Sequence, residues 1–215
     1  EGGAVLVAAG PDFASADSIY RSPLADILPA EPTARVIERG FQPSITDLGE
    51  RHPVTAGLAG SDTWGRWMRQ IEVEPIGGDV VLGGIADKPL LVLDRVGEGR
   101  VALIASDHAW LWSRGFEGGG PQLDLLRRLA HWMMKEPELE EEALWAEPTG
   151  QTMRIIRRTL DETVGAVTIT RPDGTEEEIT LEEATPGRFE AVYTGPEIGL
   201  YRLTEGDASA VVGLG

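Results

Sequence analysis

Two patterns of apolar and polar positions divide this chain. Up to about residue 135, short apolar runs are separated by turn residues. From Thr152 onward, apolar and polar positions mostly alternate. Ala4-Val5-Leu6-Val7-Ala8-Ala9 is an unbroken apolar run ended by Gly10-Pro11. A run without alternation predicts a strand buried on both faces, as in a parallel α/β sheet. Ser22 to Pro29 reads as a short helix, with Ser22 as its N-cap, Pro23 in the first turn and Pro29 as its stop. Strands are expected over Ala34 to Phe41, Val80 to Leu82, Leu90 to Asp94 and Arg100 to Ala105. Arg69 to Glu74 alternates strictly and predicts a half-buried strand. The glycine turn Arg95-Val96-Gly97-Glu98-Gly99 joins the last two as a hairpin. Pro121 opens a helix whose apolar face is Leu123, Leu126, Leu129, Ala130, Trp132 and Met133.

The second half reads as about six or seven short strands with turn signals at intervals, the pattern of a β-sandwich. Arg171-Pro172-Asp173-Gly174-Thr175 is its clearest turn: Pro suits the fixed φ and Gly takes the left-handed position.

Charge sharpens this division. The 215 residues carry 19 Lys+Arg, 36 Asp+Glu and no Cys, a formal net charge of −17. Residues 1–135 hold 18 acids against 13 bases, and residues 136–215 hold 18 acids against 6 bases. The break is the acidic stretch from Lys135 to Glu142, which reads as a solvated linker over 136–146. Its consecutive carboxylates do not converge on a cation, because cation loops space their acids with Asn and Gly. The acid excess excludes a general nucleic-acid binder. There is no run of about 18 apolar residues, so no direct membrane insertion by this chain is expected. The absence of Cys removes disulfides, thiolate zinc sites and a cysteine nucleophile. The three His show no ligand spacing, so no metal and no cofactor is expected.

The first strand, the segment His52-Pro53-Val54-Thr55-Ala56-Gly57-Leu58, the hairpin Gly97-Glu98-Gly99-Arg100-Val101, and a strand reaching Asp107 before a helix reaching Trp132 together resemble class I glutamine amidotransferase-like domains. More narrowly, they resemble the non-catalytic version found in large bacterial membrane-anchored proteins. The resemblance covers residues 1–135. It implies a flavodoxin-like parallel sheet with helices, N-terminally truncated, with Glu1-Gly2-Gly3 as the C-cap of an upstream helix. Pro186-Gly187-Arg188-Phe189 and Gly199-Leu200-Tyr201-Arg202 resemble bacterial immunoglobulin-like domains, implying a small immunoglobulin-like β-sandwich over 147–215. Together the two resemblances imply a non-catalytic module that binds a protein or a ligand within a membrane-associated assembly. Its expected place is the periplasmic or extracytoplasmic part of that assembly, with a cytoplasmic location as the alternative.

Catalysis finds little support. Amidotransferases use a cysteine on a sharp turn, and no G-x-S-x-G serine elbow is present either. The richest polar cluster is Ser106-Asp107-His108-Ala109-Trp110-Leu111-Trp112-Ser113-Arg114, at a strand end where α/β sheets place ligand sites. Asp107, His108, Trp110, Trp112 and Arg114 are therefore the candidate ligand-binding residues. Asp107 and His108 are also candidate catalytic residues, as an acid/base pair of a hydrolase or transferase. The competing reading makes Asp107 a turn cap and packs both tryptophans under the glycine loop Gly115 to Gly120. A third reading is a carbohydrate-binding surface through exposed Trp64, Trp67, Trp110 and Trp112. His52 reads as a surface loop residue, and His131 as lying at the edge of the packed helix face.

Overall fold

A computed structural model describes residues 2–215, which form two compact units, 2–139 and 140–215. Glu1, expected to begin a helix cap, lies outside the described residues.

The first unit contains seven strands: β1 (Ala4–Ala8), β2 (Ala30–Ile37), β3 (Ser44–Ile45), β4 (Gln70–Pro75), β5 (Asp79–Gly83), β6 (Pro89–Val96) and β7 (Gly99–Ile104). Its helices are α1 (Asp47–Arg51), α2 (Trp110–Ser113) and α3 (Gln122–Met133), with several single 3-10 turns. The central sheet has five strands in the order β1-β7-β6-β5-β3, and β2 pairs with β4 as a separate ribbon. One pair in this sheet, β1 with β7, is parallel. The β7–β6, β6–β5 and β5–β3 pairs are antiparallel.

This overturns the expected fold. Strands make up 42% of the chain and helices 21%, spread over four small sheets, so there is no flavodoxin-like parallel sheet with helices. The misreading has a physical cause. An unbroken apolar run reports burial on both faces, and an antiparallel strand between two covering layers is buried just as fully. In β7, Ala102 and Ile104 join one core with Leu125, Leu129 and Trp132 of α3. Val101, Leu103 and Ala105 just beyond it join the opposite core with Ile71 and Val73 of β4. β1, the run that suggested the parallel sheet most strongly, lies at the sheet edge and is exposed at every second residue.

Other differences are local. The expected helix at Ser22 is a 3-10 turn over Pro23–Ile27, with the Ser22 hydroxyl accepting from the Leu24 N–H. β4 is buried on both faces from Gln70 to Val73, because Gln70 and Glu72 are held by partners inside the fold. The Gln70 amide accepts from Ile85 N–H at 2.7 Å and donates to the carbonyls of Lys88 and Pro89. The Glu72 carboxylate takes Lys88 at 2.7 Å and the Thr33 hydroxyl at 2.6 Å. In α3 the buried stripe is Leu125, Leu129 and Trp132, while Leu123 is 83% exposed. Arg100 is buried, donates to the Trp132 carbonyl at 2.9 Å and lies over that indole, so a cation closes the C-terminal end of α3. His52, expected on the surface, is fully buried with its ring edge against Trp132.

The second unit has eight strands: β8 (Ala143–Thr149), β9 (Thr152–Arg158), β10 (Val167–Thr170), β11 (Glu176–Ile179), β12 (Glu182–Thr185), β13 (Arg188–Thr194), β14 (Gly199–Glu205) and β15 (Ala208–Leu214). They form two antiparallel sheets, β12-β13-β9-β8 and β11-β10-β14-β15, around one core containing Met153, Ile155, Ile169, Phe189, Tyr201 and Leu203. β8 begins inside the stretch read as a linker. The turn at Pro172 forms as the sequence suggests, with Gly174 at φ +87° and the Asp173 carboxylate accepting from Thr175. Tyr201 is fully buried and its hydroxyl donates to the Glu197 carbonyl at 2.7 Å. Arg157 is held between Glu205 at 2.7 Å and Glu142 at 2.6 Å.

α1 packs so closely on β5 that a Cβ on Gly49 would meet the Val81 carbonyl oxygen at 2.1 Å. Gly49→Ala forces backbone apart, and its expected effect is a loss of about 1–3 kcal/mol in unfolding free energy, in the range of overpacked cores. Denaturant unfolding followed by tryptophan fluorescence measures it. An unchanged midpoint would contradict the packing described.

Candidate functional site

The C-terminal ends of β1 and β7 lie side by side because the two strands are parallel. The chain leaves β7 through Ala105 and Ser106, both fully buried. The Ser106 hydroxyl donates to the Arg69 carbonyl at 2.6 Å and accepts from the His108 N–H at 3.1 Å. This brace ties the β7 exit to the residues entering β4, and Ile71 N–H adds a bond to the Ala105 carbonyl at 2.8 Å. It fixes where Asp107 and His108 stand.

Around them the structure assembles Arg69, which was not singled out from the sequence because it reads as the first residue of a strand. An Arg69 guanidinium nitrogen lies 2.9 Å from His108 Nε2, and Arg69 Nε lies 3.5 Å from Asp107 Oδ1. The Met68 N–H approaches His108 Nδ1 at 3.2 Å. Asp107 Oδ1 stands 3.7 Å from His108 Nε2, beyond hydrogen-bond distance. On its other side the Asp107 carboxylate faces Gly10, where a Cβ would come within 3.2 Å of it. The imidazole therefore has donors against both nitrogens. A neutral ring can accept from one of them, whereas an imidazolium would face both with N–H groups. Burial pushes the His108 pKa below its ordinary value; the Asp107 and Glu38 carboxylates oppose that shift and Arg69 reinforces it.

The aromatic residues separate sharply. Trp112 is buried between Trp64 and Trp67, with ring centroids at 5.0 and 4.9 Å, and its indole N–H donates to the Gly65 carbonyl at 2.7 Å. Gly120 passes so near that a Cβ there would lie 2.4 Å from the Trp112 ring, so the glycine loop covers this indole. Trp64 and Trp67 are buried as well, which removes them and Trp112 from a sugar-stacking surface. Trp110 is 51% exposed and stands with its edge toward His108 at 6.3 Å. Met68, 39% exposed, adjoins the same imidazole through its backbone. Arg114 is exposed at the end of α2 and takes no part in the cluster. Of the sequence candidates, the structure thus groups Asp107, His108 and Trp110, adds Arg69 and Met68, and sets Trp112 and Arg114 aside.

Glu117, in the glycine loop, forms a bidentate pair with Arg66 at 2.8 and 2.5 Å. That hydrogen bonding, with further help from the Arg66 backbone N–H and charge, lowers its pKa to about 2. The pair holds Glu117 at φ +50°, a conformation that costs a non-glycine residue about 1–3 kcal/mol. His131 Nδ1 meets Glu136 at 2.6 Å at the end of α3. Among the described residues no group of three or more His, Asp or Glu side chains is placed to hold a metal ion.

Comparison with known proteins adds little about chemistry. A family described as a domain of unknown function (DUF8816) matches residues 146–214. No curated protein matches. Among solved structures, the chain is similar to the cytoplasmic protein STM1381 of Salmonella typhimurium LT2, with 21% identity and a TM-score of 0.51 over 61% of this chain and 56% of that one. The cytoplasmic protein STM3548 of Salmonella typhimurium matches at 21% identity and a TM-score of 0.49, over 61% of this chain and 55% of its own. A β-galactosidase from Rahnella sp. R3 matches at 15% identity and a TM-score of 0.37, over 80% of this chain and 25% of its own. The chain therefore spans little more than half of the first two proteins. The STM1381 likeness speaks to fold alone, and the other two carry no argument.

Burial of His108, with Arg69 beside it, sets a pH dependence. A depressed folded-state pKa means that the unfolded chain binds the extra proton first, so the stabilisation is complete above the unfolded value near 6.5 and is lost as pH falls below it. An NMR titration of the His108 ring is expected to show a midpoint below that of an unfolded histidine. His108→Gln is expected to flatten the stability profile between mildly acidic and neutral pH. A His108 midpoint above the ordinary value would contradict this burial of the ring.

Proposed function

We propose that this chain is a non-catalytic binding module whose first unit recognises a protein segment through the surface around Trp110, Met68, Asp107 and Arg69. The observation that carries this reading is the exposed Trp110 indole beside exposed Met68, on a base of hydrogen-bonded polar groups. Tryptophan, methionine and arginine are the residue types enriched in protein interfaces, and an indole held on a rigid support contributes at low entropic cost. All the other tryptophans of this unit are buried, so the core does not explain why Trp110 is left outside.

The catalytic alternative through Asp107 and His108 is weaker on the same geometry. The two side chains are not hydrogen-bonded, both imidazole nitrogens already face donors, and the neighbouring hydroxyl of Ser106 is engaged with backbone on both sides. A general base must reach the proton it abstracts, and whichever nitrogen of the neutral ring carries the accepting lone pair already has a donor against it.

The second unit fits a spacer or docking role. Its strand order and the Tyr201 hydroxyl bonded to the backbone four residues upstream support the resemblance to bacterial immunoglobulin-like domains, where a tyrosine corner has this form. The extracytoplasmic, membrane-anchored setting belongs to the same proposal and rests on the resemblance alone.

A peptide library displayed on phage and panned against the immobilised chain tests the reading. Peptides that bind wild type and lose at least about tenfold in affinity to Trp110→Ala, about 1.4 kcal/mol or more, are the expected result, with the melting temperature unchanged. Equal binding to Trp110→Ala, or ester or amide hydrolysis by wild type that vanishes in His108→Gln, would overturn it.

A further inference from the structure

The outer edge of β1 is open. Among the described residues, β1 is the last strand of the five-stranded sheet on that side and pairs with β7 alone. The Arg100 N–H donates to the Gly3 carbonyl at 3.0 Å and the Ala9 N–H donates to the Ile104 carbonyl at 2.8 Å, so the odd-numbered residues turn their backbone toward β7. In a parallel pair, one residue's N–H and C=O point to the same side. Ala4, Leu6 and Ala8 therefore present three N–H and three C=O groups away from the sheet, and none of these bonds another described residue. Their side chains are exposed too, Leu6 by 42%.

Natural edges are blunted by charges, proline, bulges or shortness. The opposite edge of this sheet, β3, is two residues long. β1 has none of these devices: residues 2–9 contain no charge and no proline in a chain of net charge −17, and its register with β7 is unbroken.

We propose that this edge joins a second copy of the chain, β1 pairing antiparallel with β1 of the partner copy about a two-fold axis at Leu6. That register sets Leu6 opposite Leu6 and Ala4 opposite Ala8, so all the outward groups on these three residues pair within a continuous ten-stranded sheet. A two-fold join uses the same patch twice, which requires self-complementarity, and a neutral strand flanked by small alanines provides it. Both ends of the strand are flanked by charge. Lys135 Nζ lies 3.4 Å from where a Gly2 Cβ would stand, with Glu98 beside it. Asp12 and Asp17 line a shallow cleft with Val7 to Gly10 at the other end of the strand. An antiparallel join carries Lys135 of each copy toward Asp12 and Asp17 of the other, an attraction that Glu98 beside Lys135 offsets, so the neutral, self-complementary strand carries the join.

Sedimentation velocity of the 215-residue chain over a range of concentrations tests this. Wild type is expected to shift from the 23.2 kDa monomer toward twice that mass as concentration rises. Leu6→Pro removes an outward N–H without touching a bond to β7, and Leu6→Lys places a charge on the join. Both variants are expected to stay monomeric at every concentration while melting like wild type at the low concentrations where it is monomeric; should Leu6→Pro fail to fold, Leu6→Lys decides alone. Wild type that remains monomeric throughout, or a folded Leu6 variant that still dimerises, would overturn the proposal.

Discussion

Strand β7 is the constraint on which the first unit depends. Its residues are shared between two cores, with α3 and the tryptophan cluster on one face and the β2–β4 ribbon on the other. Burying each large aliphatic side chain contributes about 1.5–3 kcal/mol, so Val101, Leu103 and Ile104 weld both layers to one strand. The welding has a functional consequence at the strand's end. Because β7 cannot shift, Ser106 is delivered to the backbone of Arg69, and that contact orients His108 and Asp107. Arg100 extends the same logic to the other end, where a buried cation closes α3.

Much of this was legible along the chain, and the failures share a cause. The β6–β7 hairpin, the turn at Pro172 and the short alternating strands of the second unit follow from local chemistry: glycine where φ is positive, proline where φ is fixed, and period two where one face is wet. What failed needed a neighbour. The Ala4 to Ala9 run cannot say whether it lies at the centre or the edge of a sheet. His52 sits in a polar, turn-rich segment, yet Trp132 of a distant helix covers it. The candidate cluster is legible in part, since Asp107, His108 and Trp110 lie within four residues of one another in sequence. Arg69 and Met68 were missed because they approach from 39 and 40 residues away. For Trp112 the sequence leaves two readings open, a ligand contact and packing under the glycine loop; its burial is decided by Gly65 and Gly120, and the packing reading holds for Trp112 but not for exposed Trp110.

The uneven charge of the chain also takes on structural meaning. Five glutamates of the second unit, Glu176, Glu177, Glu178, Glu182 and Glu183, lie on β11 and β12, one edge strand of each of its two sheets. Charges on an edge discourage pairing with another chain, so part of the acid excess protects those edges. Inside the same unit, Arg157 offsets some of that repulsion through Glu205 and Glu142, and its hydrogen bond holds the Glu205 carboxyl below the usual range. The neutral, unprotected β1 stands in contrast.

Native-state hydrogen exchange along β7 is the most direct test of this account. If β7 is the shared wall, the amides of Val101 to Ala105 exchange only when the whole first unit opens, and the His108 amide, bonded to the Ser106 hydroxyl, is protected well above its loop neighbours. Amides of β7 that exchange as fast as those of the glycine loop at 115–120 would contradict it.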